Sequence, residues 1–300
     1  MAERNFMELL QARWLEGKFV CVGLDSDWEK IPDWFKQATG RDPLWTTVRF
    51  NEKIIEATRD LVCCYKPNSA FYEAHGDIGF QALQQTIRMI NDEAPEVPVI
   101  YDGKRGDIDN TNLGYIEAAF DYLNADAITV HPYLGAESLK SLLDRKDKNI
   151  FVLCRTSNKG ADEFQDLPVA TGWTPAGSMP LYQYVAMMVA KDWNKNGNCG
   201  VVAGATYPTE LDRIRRVVGD MPILIPGVGK QGGDVEAVVR VGKDSRGQGM
   251  IINSSSGIIF ASPGEDFAEA ARQKTSELHS LITQCLKGET SGSTSEITTG

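Results

Sequence analysis

Eight short apolar runs, separated by segments of helical length, constrain the fold of this chain more than any other feature. The runs lie at 19–24, 61–65, 97–101, 127–130, 150–154, 200–203, 222–225 and 250–253. Their nearly continuous Val, Ile, Leu and Cys content is typical of strands buried on both faces of a parallel sheet. Intervening segments such as 79–91 and 181–194 have the length and spacing of helices. Eight alternations of strand and helix predict an α/β fold, a closed (β/α)8 TIM barrel.

The barrel is expected to occupy most of the 300 residues as a single domain, because barrels of this type run to about 250 residues. Its predicted extent is 1–287. The segment 158–180 is rich in Gly, Asp, Thr and Pro and is predicted to be a surface excursion, whose role the sequence leaves open. The last segment, 288–300, has no apolar periodicity and is predicted to be a disordered C-terminal tail.

Charge and cysteine content restrict the partners and the compartment. The formal net charge is −10, which argues against nucleic acid or a membrane surface as the partner, because both are bound through Lys and Arg. No stretch approaches the roughly 18 apolar residues of a membrane span, and the first residues lack a basic segment followed by an apolar run. The six cysteines form no CxxC pair, so reduced thiols and a cytoplasmic location are expected.

Charged side chains follow the first three predicted strands. Asp25 follows the first, Lys66 the second, and Asp102 with Lys104 the third. The carboxyl ends of barrel strands form the open face where ligands bind, so these side chains are expected to meet there. A single Asp-x-Lys is ordinarily explained by a solvated turn. Charged residues at three neighbouring strand ends, however, are more than the usual composition of turns explains.

The segment DGKRGDI at 102–108 is the densest of these features. If strand geometry persists into it, Asp102 and Lys104 point to the same face, and the two glycines let the chain bring Asp107 back to the same pocket. In an alternating array of Asp and Lys, each group keeps its neighbours charged. Such an array can present a proton donor next to a fixed negative charge, which is what decarboxylation without a cofactor requires.

A glycine-rich segment, PGVGKQGG at 226–233, follows the seventh predicted strand. It contains GxGxxG, but a dinucleotide site would place this motif after the first strand of its domain, with an acidic residue about 20 positions further on. Here that position falls in the run 251–253. Barrel enzymes often hold a phosphate with the loops after strands seven and eight, so we interpret the segment as a phosphate-binding loop rather than a nicotinamide site.

Sequence runs at all eight strand ends resemble those of orotidine 5′-phosphate decarboxylases of the bacterial group with longer chains. The runs are FVCVGLDSD, YKPNSAFYEAHG, YDGKRGDIDNT, AITVHP, VLCRTSN, VVAGATYP, LIPGVGKQGGD and INSSSGIIFAS, and the signature DxKxxDIxxT extends from Asp102 to Thr111. The resemblance implies a carboxy-lyase that removes CO2 from orotidine 5′-monophosphate (OMP) to give UMP in de novo pyrimidine biosynthesis. It also implies an enzyme with no cofactor and no metal.

The resemblance assigns a role to each matching position. Lys104 resembles the general acid that protonates C6 of the pyrimidine, and Asp102 resembles the carboxylate set close to the substrate carboxylate. Lys66 and Asp107 would complete the charged array. The substrate-binding positions would be Asp25 and Thr111 at the ribose, Ser157 at the pyrimidine, Gln231 at the phosphate, and also Pro226, Gly229 and Ser256.

One position departs from the family pattern. After the eighth strand the family usually carries an arginine that binds the phosphate, and the aligned residue here is Ser256. A serine donates one neutral hydrogen bond and brings no charge. Lys230 or Arg155 could supply the charge, although neither matches a family position for it.

The resemblance also implies a homodimer with shared active sites. The Asp107 and Thr111 end of the signature would reach into the partner's active site. Gly106 releases the chain from the strand, so Ile108 could anchor in an apolar interface while its neighbours cross to the other subunit.

Two other functions stay open at this point. The first is a metal-dependent sugar-phosphate aldolase or synthase of a related barrel, whose hard cation would be held by Asp25, Asp102, Asp107, Asp109 and His131. The lysines within that cluster argue against it, because an ammonium already has the electrostatic role of the ion. The second is a non-catalytic nucleotide-binding barrel, which only Ser256 favours.

Overall fold

Eight parallel strands form a barrel, as the sequence predicted. The computed structural model describes residues 4–171, 177–228 and 234–290. Its strands are β1 (Val20–Leu24), β2 (Val62–Pro67), β3 (Ile100–Arg105), β4 (Ala127–Val130), β5 (Asn149–Arg155), β6 (Pro168–Ala170), β7 (Ser178–Pro180), β8 (Cys199–Ala203), β9 (Ile223–Pro226) and β10 (Met250–Ser254). All but β6 and β7 belong to one sheet in the order β2-β1-β10-β9-β8-β5-β4-β3. Parallel bridges from Tyr65 to Val99 and from Asn68 to Asp102 join its two ends, which confirms the (β/α)8 fold.

Helices occupy the connections between successive strands of this eight-stranded sheet, as parallel pairing requires. They are α1 (Phe6–Leu15), α2 (Asp33–Ala38), α3 (Pro43–Thr58), α4 (Ser69–Glu73), α5 (Gly76–Glu93), α6 (Asp109–Ile116), α7 (Gly135–Ser138), α8 (Lys140–Leu143), α9 (Asp162–Gln165), α10 (Leu181–Met188), α11 (Pro208–Val218), α12 (Val235–Gly242), α13 (Ser256–Ile259) and α14 (Phe267–Thr290). A 3-10 helix occupies Trp28–Lys30, and the π-helical segments Glu117–Tyr122 and Val189–Trp193 continue α6 and α10.

Helix α5 shows why these connections fold as they do. Its buried residues recur at helical spacing and form one face: Gly79, Ala82, Leu83, Thr86, Ile87 and Ile90. Burying a large apolar side chain contributes about 1.5–3 kcal/mol, so such a face holds the helix against the barrel. Helix α3 begins with an N-cap. The Asp42 side chain accepts a hydrogen bond from Trp45 N at 3.0 Å, and Pro43 occupies the first turn.

Helix α1 covers the amino-terminal ends of the strands. The Trp14 indole donates to the Met250 carbonyl, at the start of β10, at 2.8 Å. The Arg13 guanidinium donates to the Val62 carbonyl, at the start of β2, at 2.9 Å, and the Phe6 ring packs edge-on against Phe151 of β5. This end of the barrel is therefore closed by protein, which leaves the carboxyl ends of the strands for a ligand.

The element boundaries differ from the prediction at a few points. β2 and β3 extend two and four residues past their predicted ends, to Pro67 and Arg105. The excursion after β5 contains α9 and an antiparallel pairing of β6 with β7, and residues 172–176 lie outside the described part. Helix α14 continues to Thr290, three residues beyond the predicted domain end. Residues 291–300 also lie outside the described part, so their predicted disorder stays a prediction.

Among the described helices, none has the length and apolarity to cross a membrane.

Candidate active site

Alternating carboxylate and ammonium groups lie at the carboxyl ends of β1, β2 and β3. The Lys66 Nζ is 2.8 Å from Asp102 Oδ2 and 3.7 Å from Asp25 Oδ1. The other oxygen of Asp102, Oδ1, is 2.7 Å from Lys104 Nζ. The structure therefore joins four of the residues singled out in the sequence, in the order Asp25, Lys66, Asp102 and Lys104.

Burial makes these charges depend on one another. The side chains of Lys66 and Asp102 are buried, whereas that of Lys104 is 49% exposed. Burial alone would lower the pKa of Lys66, but the charges of Asp102 and Asp25 outweigh it and hold that pKa well above its ordinary value. Burial alone would raise the pKa of Asp102, but Lys66 and Lys104 hold it well below its ordinary value. Both groups are therefore charged at neutral pH, and Lys104 is the lysine of the array that a ligand can reach.

The backbone at Lys104 departs from regular strand geometry. Its φ is +46°, in the left-handed region that residues other than glycine rarely adopt. The pairing of β3 with β4 also changes register between Tyr101 and Arg105. Strained backbone of this kind persists only where surrounding contacts fix it, and it concentrates at functional sites.

Thr129 of β4 also belongs to the site, although the sequence analysis did not single it out. Its buried hydroxyl donates to Asp102 Oδ1 at 2.8 Å and accepts from the Lys104 backbone N at 3.0 Å. The only sequence signal was that Thr129 is the one hydroxyl residue in the run 127–130. Threonine is common in strands for its shape alone, so that signal is weak.

Asp107 does not join the ion pairs within its own chain. Its Oδ1 accepts a hydrogen bond from Ile108 N at 2.7 Å, and it forms no ion pair with either lysine of the site. Asn112 fixes the turn, because its Oδ1 accepts from Asp107 N at 3.0 Å and its Nδ2 donates to Asp107 O at 2.5 Å. Within its own chain Asp107 therefore does not extend the array of ion pairs, and its return to this pocket stays a prediction. Thr111 is exposed on α6.

The backbone on both sides of Asp25 is held by buried hydrogen bonds. The Leu24 carbonyl accepts from the Tyr72 hydroxyl at 3.0 Å, and the Ser26 hydroxyl donates to Asn51 Oδ1 at 2.6 Å. The Asn51 side chain in turn donates to the Tyr72 oxygen at 2.9 Å. In contrast, Asp25 Oδ1 is buried and accepts no hydrogen bond from the residues that the structure describes, although Lys66 lies 3.7 Å away. A rigid backbone thus presents a carboxylate whose side chain is 20% exposed, and a ligand hydroxyl could donate to its exposed part.

The other predicted positions that the structure describes also lie at strand carboxyl ends: Ser157 after β5, Pro226 at the end of β9 and Ser256 after β10. Gly204, just after β8, lies against the first of these, since a Cβ placed on it would be 3.0 Å from the Ser157 Cβ. Gly229 and Gln231 lie outside the described residues, as does Lys230, and their predicted contacts stay predictions.

Comparison with known proteins agrees with this geometry. The profile of the family described as Orotidine 5′-phosphate decarboxylase / HUMPS family matches residues 18–273. The chain belongs to this family.

Members of the orotidine 5′-phosphate decarboxylase family from bacteria are similar over most of their length. The protein named orotidine 5′-phosphate decarboxylase from Cellvibrio japonicus is 44% identical over 279 residues, which are 93% of this chain and 98% of the relative. The protein of the same name from Herpetosiphon aurantiacus is 48% identical over 255 residues, 85% of this chain and 88% of the relative. The solved structure of Leishmania donovani OMP decarboxylase is 36% identical, with a TM-score of 0.77, and the match covers 93% of this chain and 98% of that one.

The site geometry does not favour the alternative function of a metal-dependent sugar-phosphate aldolase or synthase. Within the part of the chain that the structure describes, no group of three or more His, Cys, Asp or Glu side chains could hold a metal ion. Lys66 contacts one oxygen of Asp102 and Lys104 contacts the other. The His131 Nε2 is 2.9 Å from the Gly106 carbonyl. The five residues named for a cation site in the sequence are therefore not gathered into one.

Proposed function

We infer that this chain is a carboxy-lyase that converts OMP to UMP and CO2, a step of de novo pyrimidine biosynthesis. The observation that carries the proposal is Asp102, buried between Lys66 and Lys104 at the ligand-accessible end of a barrel of this family. The bacterial relatives that share 43–48% of their residues with it are named as decarboxylases of this substrate. The direct test is the loss of OMP absorbance on adding the pure protein. No change in absorbance at high enzyme concentration would contradict the proposal.

The mechanism follows from where the charges are fixed. The bond between C6 and the carboxylate carbon breaks, its electron pair remains on C6, and CO2 departs. The Lys104 ammonium then donates a proton to C6, and the neutral amine regains a proton from solvent. Fixed positive charge beside C6 stabilises the developing carbanion. Asp102 lies near the departing carboxylate and disfavours the bound substrate relative to the carbanion.

Several charges must act together because the carbanion has no cofactor to delocalise it. The activation barrier of such a step is high. Enzymes lower activation free energies by roughly 8–23 kcal/mol, and this site must achieve a reduction near the upper end of that range. Lys66 contributes by holding Asp102 ionised and in place, through the 2.8 Å contact to its Oδ2. The charged array is therefore proposed to be catalytic as a unit.

Substrate binding is proposed to use the remaining strand ends. The partly exposed Asp25 carboxylate would accept a hydrogen bond from a ribose hydroxyl. Ser157 would contact the pyrimidine. Pro226, Gly229, Gln231 and Ser256 would line the phosphate end.

Activity is expected to be insensitive to metal chelation, since each charge that the mechanism needs is supplied by a side chain. Dialysis of the enzyme against excess EDTA should leave kcat and KM unchanged within about twofold, because no step involves a Lewis acid. Steady-state kinetics before and after dialysis check this. Loss of activity that Mg²⁺ restores would favour the sugar-phosphate alternative.

Ser256→Arg is expected to tighten the binding of UMP by about tenfold, because a guanidinium adds a charge-assisted contact to the phosphate. Arg155 is not free to take this role, since it pairs with Asp166 at 3.1 Å and lies over the Tyr207 ring. Titration calorimetry with UMP measures the change. Ser280→Arg, on the exposed surface of α14, adds the same charge elsewhere and is the control. An affinity that is unchanged or weaker in Ser256→Arg would contradict the assignment of this position to the phosphate.

A homodimer with shared active sites is proposed on the basis of an apolar patch next to the signature. The patch consists of the exposed side chains of Ile108, Leu113, Tyr133 and Leu134. Helix α6, which contains Leu113, lies next to α7, which begins just after Leu134, because Asn112 donates a hydrogen bond to the Ser138 carbonyl. Contiguous exposed apolar surface marks interaction sites, and a two-fold interface would bury the patch of both subunits.

The cytoplasm is the proposed location, with neither nucleic acid nor membrane as a partner. All six cysteines are free thiols in the structure, which suits a reducing compartment. The net charge of −10 opposes binding to phosphate-rich surfaces.

A further inference from the structure

Thr129 links the two central groups of the site through one hydroxyl. It donates to Asp102 Oδ1 at 2.8 Å and accepts from the Lys104 backbone N at 3.0 Å. The direction of each bond is fixed, because an ionised carboxylate can only accept and an amide N–H can only donate. We propose that Thr129 is a positioning residue for the decarboxylation, which holds the Asp102 carboxylate and the Lys104 backbone in register with each other. This inference rests on the proposed function.

The need for such a group follows from the proton transfer by Lys104. Among the described residues, Asp102 Oδ1 has two side-chain partners, the Lys104 ammonium at 2.7 Å and the Thr129 hydroxyl. When the ammonium delivers a proton to C6 it becomes a neutral amine, and its hydrogen bond to this oxygen loses its charge assistance. Lys66 contacts the other oxygen, Oδ2. Thr129 is then the side chain that keeps Oδ1 in place beside the departing CO2.

The second role of Thr129 concerns the backbone of the proton donor. Lys104 has a φ of +46°, at the point where β3 and β4 change register. Its N–H finds its acceptor in the Thr129 hydroxyl on the neighbouring strand, and this contact opposes relaxation of the strained residue. Both hydrogen bonds need an oxygen that donates and accepts at once, so valine cannot replace threonine here although its shape is nearly the same, while serine can.

The test compares Thr129→Val with Thr129→Ser. Because a misplacement of about 1 Å can cost about 100-fold in rate, Thr129→Val is expected to lower kcat by about 10- to 100-fold, with KM within about twofold of wild type. Thr129→Ser keeps the hydroxyl and should return kcat to within about threefold of wild type. Should the valine variant fail to fold, Thr129→Cys, with a weaker hydrogen-bonding group of similar size, takes its place.

Thr275→Val is the matched control for the loss of a buried hydroxyl. Thr275 is fully buried in α14, and its hydroxyl donates to the Ala271 carbonyl at 2.8 Å, away from the site. This variant should lower the midpoint of thermal unfolding as Thr129→Val does, yet keep wild-type kcat. A merely structural role for Thr129 would make the two variants alike in kcat.

Three results would overturn the inference: a kcat of Thr129→Val within about twofold of wild type, a rise in KM that accounts for the whole loss, or no recovery in Thr129→Ser. Turnover by the wild type tests the proposed function separately. If the wild type proves inactive, crystal structures of the wild type and Thr129→Val judge the inference. A rotated Asp102 carboxylate and a changed Lys104 φ support it, and unchanged geometry overturns it.

Discussion

Lys104→Ala is expected to abolish turnover of OMP, with a fall in kcat of at least about 10⁴-fold. The Lys104 ammonium is the exposed end of the charged array and the only member of Asp25, Lys66, Asp102 and Lys104 that combines a proton to give with access to a ligand. Removing it takes away both the proton for C6 and one of the two positive charges beside Asp102. The kcat of the variant should be measured over a range of pH. Acid is not expected to restore it, because the variant has no side chain at this position to carry the proton.

The fold and the binding of UMP should survive this change, because Lys104 lies at the pocket rim and not in the core. Lys53→Ala is a matched control. Its side chain is also 49% exposed and its ammonium is 2.7 Å from Glu56, but it lies on α3. Both variants should have similar thermal unfolding midpoints, and Lys53→Ala should keep wild-type kcat. More than about a tenth of wild-type kcat in Lys104→Ala would show that another group donates the proton.

The barrel could be predicted from the sequence because its strands are buried on both faces. Every residue of β1, β2, β4, β8 and β10 is buried. Such strands are apolar along most of their length, with polar residues such as Lys66 and Asn253 near their carboxyl ends, and this distinguishes them from the amphipathic connections. Their ends were less certain. β3 continues through the charged residues of the signature to Arg105, since contacts across the barrel, and not local propensity, decide where pairing stops.

The charged array could also be predicted, because barrel topology places neighbouring strand ends together whatever the loops do. The position of Asp107 could not. It depends on the turn that Asn112 fixes through contacts with both the N–H and the carbonyl of Asp107. Thr129 was equally hidden, since its contact with Asp102 depends on the pairing of β3 with β4, in which Tyr101 lies opposite Ile128, and this register cannot be seen in either strand alone. Asn112 is itself held by its contact with the distant Ser138 carbonyl, so in both cases the deciding contact depends on the tertiary structure.

The position of Asp107 leads to the second large effect, the recovery of activity in mixed dimers. In its own chain Asp107 forms no ion pair with the site lysines, and the adjacent Ile108 side chain is 58% exposed. If Asp107 instead completes the partner's site, a Lys104→Ala chain and an Asp107→Ala chain, each inactive alone, should complement each other. In a mixed dimer one site receives both changes and the other receives neither.

Free exchange of subunits makes half of the dimers mixed, so about a quarter of all sites should be intact and about a quarter of wild-type activity should return. Light scattering and differently tagged subunits establish that mixing occurs. Lys104→Ala mixed with Lys66→Ala is the control, because Lys66 and Lys104 both contact Asp102 of their own chain, and every site of that mixture carries a change. If Lys104→Ala and Asp107→Ala chains demonstrably mix and no activity returns, Asp107 acts within its own subunit. It would then reach its own site through a rearrangement of the turn that Asn112 holds.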